Sequence, residues 1–271
     1  MGLTGLRKIL VLTDLHFLAP GGRIGHLDPD ARFRAVLAHA LEHHADAERI
    51  VLTGDLTHHG APSEYAQLRA ALKACPLPVH MTLGNHDRRA AFFDAFPEAA
   101  RDKDGFAQEI IDSGDTRLIV LDTLSEDAEV QHAGLLGPQR RAFLDEALAG
   151  ASGRRAVVFM HHPPMDVGFD AMDAIGLLDR DAFLEVASRH GAVCQILAGH
   201  VHRSIWSSAA GVPVCVLKSP CHQSPIMTEG MDEHASVDEP GAYGIIYLHE
   251  GGVIVHSEDV DVPERRMLSY I

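Results

Sequence analysis

The sequence predicts an α/β fold, a four-layer α/β/β/α sandwich of two mixed sheets, with polar side chains gathered at the carboxyl ends of the strands. Three observations predict it. Apolar runs at 8–13, 49–53 and 78–83 alternate with helix-compatible segments at 30–44 and 62–74. Three βα units in succession imply parallel pairing with right-handed crossovers. Two further apolar runs, 155–160 and 193–198, have the continuous character of strands buried on both faces. Finally, five strand ends carry Asp, Asn or His: Asp14 and His16, Asp55, Asn85-His86-Asp87, His161, and His200 with His202.

Lys8 to Thr13 is the first buried strand and stops at Asp14-Leu15-His16. Residues two apart in an extended segment point the same way, so Asp14 and His16 are expected to face one point beyond the strand. Pro20 to Pro29 reads as a loop, and Phe33, Val36, Leu37, Ala40 and Leu41 give the next segment a helical stripe. Arg49 to Thr53 ends in Gly54-Asp55, where glycine permits a tight turn. Pro62-Ser63-Glu64 opens a helix to about Ala74, Pro78 to Leu83 is a strand, and Arg89 onward is helix-compatible. Phe106 to Ile111 and Arg117 to Leu121 flank Asp112-Ser113-Gly114-Asp115 and read as a hairpin. Gly137-Pro138 begins a helix to Ala149, with Pro in its first turn. Arg155 to Met160 is a strand ending in His161-His162-Pro163-Pro164, Asp179 to His190 is helical, and Val193 to Ala198 ends in Gly199-His200-Val201-His202. Short strands follow at 204–208, 212–217, 243–249 and 253–258. Residues 1–271 read as one domain, with the polar, Pro-, Met- and acid-rich stretch 219–240 as a loop or cap segment near the strand ends.

Composition narrows the function. Lys+Arg 23 against Asp+Glu 38 gives a net charge of −15, which argues against a nucleic-acid polymer or an anionic membrane as partner. An anionic small molecule stays open, because bound cations reverse the local sign of a site. Four Cys without a C-x-x-C pair read as reduced, mostly buried thiols, and with no signal peptide or membrane-length apolar run the expected setting is the cytoplasm. A homo-oligomer is compatible with the chain, its contact sought at 219–240 or the last hairpin. The 19 His are the unusual count, and their clustering favours metal chemistry for about five. The row Asn85-His86-Asp87 at the end of a buried strand needs partners, and a divalent metal centre is the most economical. Five such ends are expected on one side of one sheet, where open α/β sheets hold ligands.

The order D-x-H, G-D, G-N-H-D, H, G-H-x-H resembles the calcineurin-like metallophosphoesterase superfamily over nearly all of 8–260. Gly54-Asp55-Leu56 with Pro62-Ser63-Glu64-Tyr65, and Met160-His161-His162-Pro163-Pro164, look like its class III cyclic-nucleotide and glycerophosphodiester phosphodiesterase branch. The resemblance implies one metal on Asp14, His16, Asp55 and His202 and a second on Asp55, Asn85, His161 and His200, with Asp55 bridging. Carboxylate, imidazole and amide ligands suit two divalent or mixed-valence ions of Mn, Fe, Zn or Co. It implies hydrolysis of a small phosphodiester (cyclic nucleotide, glycerophosphodiester or phospholipid head group) by attack of a metal-bound hydroxide. A broad phosphomonoesterase on the same metals is the alternative, and a non-catalytic scaffold a more distant one.

His86 is the implied catalytic acid or transition-state donor, with a third-ligand or supporting role as the other option. Asp87 is expected to orient it or to cap the following helix. His222 falls where the related phosphodiesterases bring a substrate-side residue. Phe17 is expected as an apolar wall for the leaving group or as core, His58 and His59 as pocket edge or surface loop, and His162 as pointing away from the metals.

Overall fold

The computed structural model describes residues 6–226 and 235–260, so part of the expected 219–240 cap lies outside the described residues. β1 (Arg7–Leu12), α1 (Pro29–His43), β2 (Arg49–Thr53), α2 (Pro62–Leu72) and β3 (Val79–Thr82) follow in the expected order, and the three strands pair in parallel. Proline sits in the first turn of both helices, where no intrahelical N–H is lost. The Asp28 side chain accepts from Ala31 N to cap α1, and Glu64 Oε2 reaches back to Ala61 N at 3.2 Å at the start of α2.

After α3 (Arg89–Ala95), β4 (Glu109–Ser113) and β5 (Thr116–Val120) form the expected hairpin. Its turn is shorter than the expected 112–115. Asp112 stays in the ladder opposite Arg117, its ion-pair partner at 2.7 Å, and Gly114 turns the chain at φ +59°. Next come α4 (Gly137–Ala149), β6 (Arg155–Phe159), α5 (Asp170–Ala174), α6 (Arg180–Arg189) and β7 (Val193–Ala198). α5, with five residues, is too short to leave a periodic signature and has no counterpart in the sequence reading. β8 (Ile205–Ala209), β9 (Val212–Val216), β10 (Ala242–His249) and β11 (Gly252–Asp259) complete the order.

The strands form two mixed sheets, ordered β11-β10-β1-β2-β3 and β4-β5-β6-β7-β9-β8. Period-two alternation explains the continuous apolar runs. Ile9, Val11, Val51, Leu118, Val157, Phe159 and Leu197 fill the space between the sheets. Leu10, Leu12, Ile50 and Leu52 turn the other way, onto Phe33 and Val36 of α1 and Tyr65 and Leu68 of α2. Val158 and Ile196 pack against Leu144 of α4 and Phe183 of α6. Helices thus cover both outer faces, as the expected α/β/β/α layering requires. One expectation needs correction: the five polar strand ends do not share a sheet. Those after β1, β2 and β3 belong to the five-stranded sheet and those after β6 and β7 to the six-stranded one. Thr82 Oγ1 donates to Leu121 O at 2.7 Å and ties the two sheets together beside the site.

Phe159 is fully buried between the sheets. Phe159→Ala is expected to lower the unfolding free energy by about 3–5 kcal/mol, read from the midpoint of urea unfolding.

Candidate metal centre

The strand ends do not stay extended. Asp14, His16, Asp55, His200 and His202 have φ of 56°, 50°, 46°, 73° and 53°, all left-handed. The expected i, i+2 convergence is therefore made by turning the backbone rather than by pleating it. Such conformations cost on the order of 1–3 kcal/mol each and persist only where the surroundings hold them. Here Asp14 N donates to Gly54 O at 3.0 Å and His16 N to Asp55 O at 2.9 Å. The Asp14 carboxylate accepts from His200 N at 3.0 Å and from Thr13 Oγ1 at 2.8 Å, which links the end of β1 to that of β7.

Two glycines allow the loops to approach this closely. A Cβ on Gly84 would fall 2.7 Å from His161 Cε1 and closer still to Asp55 N and Oδ1. A Cβ on Gly199 would collide with Thr13 Oγ1 and lie 2.8 Å from Asp14 Oδ2.

Two groups of ligand atoms result. Asp14, His16, Asp55 and His202 are all buried, with their atoms within 4.8 Å of one another. His16 Nε2 lies 3.0 Å from His202 Nε2, and His202 Nε2 lies 3.3 Å from Asp14 Oδ1. Beside them, Asn85 Oδ1 lies 3.1 Å from His161 Nε2 and 3.0 Å from His200 Nδ1. Asp55 belongs to both groups. Its Oδ1 accepts from His86 N at 2.9 Å, while Oδ2 faces His16 Nε2 at 3.7 Å and His161 Nε2 at 3.4 Å.

The donor set fits cations. His161 Nδ1 donates to Thr53 O at 2.9 Å and His202 Nδ1 to His222 O at 2.8 Å. These bonds fix the tautomers and turn the Nε2 lone pairs toward carboxylate and amide oxygens, the usual outer support of a metal-binding His. Lone pairs facing lone pairs at 3.0–3.4 Å repel unless a cation or a proton lies between them. Ligands bonded at ~2.0–2.2 Å to one ion stand roughly 3.0–3.5 Å apart, which matches this spacing. The titration behaviour follows the same logic. Burial opposes a charge on His161, but the Asp55 and Asp14 carboxylates overcome it and raise its pKa to about 9. Burial would push Asp55 up, yet the His161 and His86 charges hold it well below the usual carboxylate range. His200, buried beside His161, falls to about 3.

Around the two groups lies a cavity of about 430 Å³. His58, His86, His132 and His222 line it, with Met172 and Ile175 from α5 and its end, and Ser224 and Ser236 from the 219–240 segment. His86 Nδ1 donates to His58 O at 2.8 Å. His222 packs its ring 4.4 Å from that of His202, and burial beside that ring lowers its pKa to about 3.

The roles expected of Asp87 do not hold, and the readings left open for Phe17, His58 and His59 are decided. Asp87 neither orients His86 nor caps α3: its carboxylate accepts from Leu56 N, Thr57 N, Thr57 Oγ1, Tyr65 OH and Gly84 N, tying the 54–57 and 84–87 loops together. Burial and the nearby Asp55 charge raise it to about 6. Phe17 is no cavity wall, because it is fully buried against Phe33 under the helices. His59 is surface, paired with Glu64 at 2.8 Å and 65% exposed, whereas His58 is at the cavity edge. His162, expected to point away from the metals, is buried with a ring nitrogen within 4.8 Å of those of His161 and His200, but it accepts from Thr123 Oγ1 at 2.8 Å and reaches His132 O at 3.3 Å. His132 was missed in the sequence. It accepts from Asn85 Nδ2 at 3.3 Å, so that Oδ1 of Asn85 points at the centre. No strand end or periodicity precedes it, and only the fold brings it near.

A layered α/β/β/α sandwich with paired carboxylate, imidazole and amide clusters at its converging strand ends defines the class of two-metal hydrolases. Residues 7–204 match the family model described as calcineurin-like phosphoesterase, and the chain belongs to that family, whose members use a dinuclear metal centre. It is 36% identical to a probable cyclic nucleotide phosphodiesterase of Rhodopseudomonas palustris over 92% of this chain and 91% of that one. It is 27% identical to the glycerophosphodiester phosphodiesterase GpdQ of Enterobacter lignolyticus over 94% and 97%. These matches agree with the class III branch. The fold matches the crystal structure of a dimetal phosphatase from Danio rerio at TM-score 0.73, with 15% identity over 93% of this chain and 96% of the other. No helix among the described residues is long and apolar enough to cross a membrane.

Asp55→Asn is expected to lose bound Mn from both groups, and His202→Ala from one only, read by elemental analysis after gel filtration. With His161 at about 9 in the metal-free protein, its proton is held at pH 7. Metal binding at pH 7 is therefore expected to release a proton, measured by calorimetry in buffers of different ionisation enthalpy.

Proposed function

We propose that this chain is a dinuclear metal-dependent phosphodiesterase that hydrolyses a small phosphodiester. The observation that carries it is Asp55 Oδ2 facing both His16 Nε2 and His161 Nε2, at 3.7 and 3.4 Å, as a carboxylate shared by two ligand groups. Asp14, His16, Asp55 and His202 hold one ion and Asp55, Asn85, His161 and His200 the other, drawn from Mn, Fe, Zn or Co. Bound there, the ions supply Lewis-acid charge to the phosphoryl oxygens and an acidified water, with a pKa near ~7. The relatives named as cyclic nucleotide and glycerophosphodiester phosphodiesterases support the reaction class.

The chain's own residues do the rest. The His58 carbonyl accepts a hydrogen bond from His86 Nδ1–H and orients the ring, which leaves Nε2 for the cavity. From Nε2 a protonated His86 donates to the transition state or to the leaving oxygen. Asn85, steered by His132, turns its carbonyl toward His161 and His200, where it would help hold an ion. His222 borders the substrate. The described cavity lining contains no Lys or Arg, which favours the singly charged diester over a dianionic monoester. The reading takes residues 1–271 as one catalytic unit of the cytoplasm, with Ser224 and Ser236 of the 219–240 stretch at the cavity edge.

Mn-loaded protein is expected to hydrolyse bis-p-nitrophenyl phosphate faster than p-nitrophenyl phosphate. His86→Ala is expected to lower kcat by roughly 10²–10⁴-fold at unchanged metal content. An inert loaded enzyme, or an indifferent His86→Ala, overturns the reading.

A further inference from the structure

The cavity has two unlike sides. One is the polar centre with its imidazoles. The other is Ala171, Met172 and Ile175, all half-buried. Met172 also packs against the core beneath the outer helices of the six-stranded sheet. This apolar wall is already in place. The Asp173 carboxylate accepts from Val167 N at 2.6 Å and Gly168 N at 3.1 Å, closing the loop before α5. Gly134 N donates to Gly176 O at 3.0 Å and Leu178 N to Gly134 O at 2.9 Å, fastening the residues after α5 to the loop that carries His132.

Resting on the phosphodiesterase reading, we infer that α5 forms the subsite for the organic part of the diester. Met172 and Ile175 there select a flat, weakly polar ring, of the nucleobase class, over a glycerol or a cationic head group. A hydroxyl or ammonium group pressed on this wall loses water and finds no partner, which costs free energy. Asp55 is the only carboxylate in the described lining, and it belongs to the metal groups, so a cationic head group has no free counter-charge. A ring face instead gains dispersion and contact with a polarisable thioether. Ser224, Ser236 and His222 on the remaining side offer hydroxyl and imidazole groups to a sugar.

The test separates the organic group from the phosphate by using two product-type monoesters, each checked after titration for release of inorganic phosphate so that binding is read on unconsumed ligand. Mn-loaded protein is titrated calorimetrically with adenosine 5′-monophosphate and with glycerol 3-phosphate. The adenosine ligand is expected to bind about tenfold more tightly or better. Ile175→Ala and Met172→Ala should remove most of that preference through the adenosine ligand alone, and Met172→Leu should retain it. Ile175 lies outside the packed core cluster, so its variant speaks even where Met172→Ala unfolds. Equal affinities in the unaltered protein, or parallel losses for both ligands in Ile175→Ala, overturn the inference. A preference kept by a protein inert toward bis-p-nitrophenyl phosphate supports this subsite while sinking the phosphodiesterase reading. Turnover without preference does the reverse.

Discussion

The Asp55 carboxylate is the constraint on which the site depends. It is 2% exposed, and its two oxygens have different jobs. Oδ1 is fixed by the backbone N–H of His86, so the side chain cannot rotate away. Oδ2 then lies between His16, from the loop after β1, and His161, from the loop after β6 in the other sheet. A buried anion in contact with two imidazoles needs positive charge, and the same carboxylate, with Asp14, raises the pKa of His161 to about 9. Two cations held there would meet the same demand and would give the two halves of the sandwich a common centre.

Holding that carboxylate in place takes strain elsewhere. Five of the side chains around the centre sit on left-handed backbone, a conformation in which Asp and His are less penalised than branched residues. The strain is balanced by a dense set of bonds: strand-end amides to neighbouring strand-end carbonyls, and Asp87 gathering five donors from three segments. Asp87 is thus the post between the Asp55 and His86 loops. Gly84 and Gly199 matter for the same reason, since a single methyl at either would push the loops apart.

The division of labour between ligand cluster and cavity explains how one centre serves relatives named for different diesters. The polar groups handle phosphate, which all such substrates share. The rest of the cavity is lined by α5 and by Ser224 and Ser236, which lie outside the strands, and such connections change without disturbing the sheets.

Much of this was legible in the residue order. Continuous apolar runs reported strands covered on both faces because each alternate side chain meets either the other sheet or a helix. Asp14, His16, Asp55, Asn85, His161, His200 and His202 declared themselves because a polar residue at a buried strand's end is costly without a partner. Hidden were the features made by long-range contact. The sequence shows neither that β10, from the far end of the chain, pairs with β1, nor that the strand ends belong to two sheets. Phe17 sits next to a ligand yet faces the helices, and Asp87 sits next to His86 yet turns the opposite way. His132 and Met172 stand in segments with no repeating pattern and reach the cavity because those segments are bonded to each other and His132 to Asn85, far along the chain. Periodicity and motif spacing record what each segment must bury, whereas the direction of a side chain in an irregular loop is set by whichever donors and acceptors the folded molecule brings beside it.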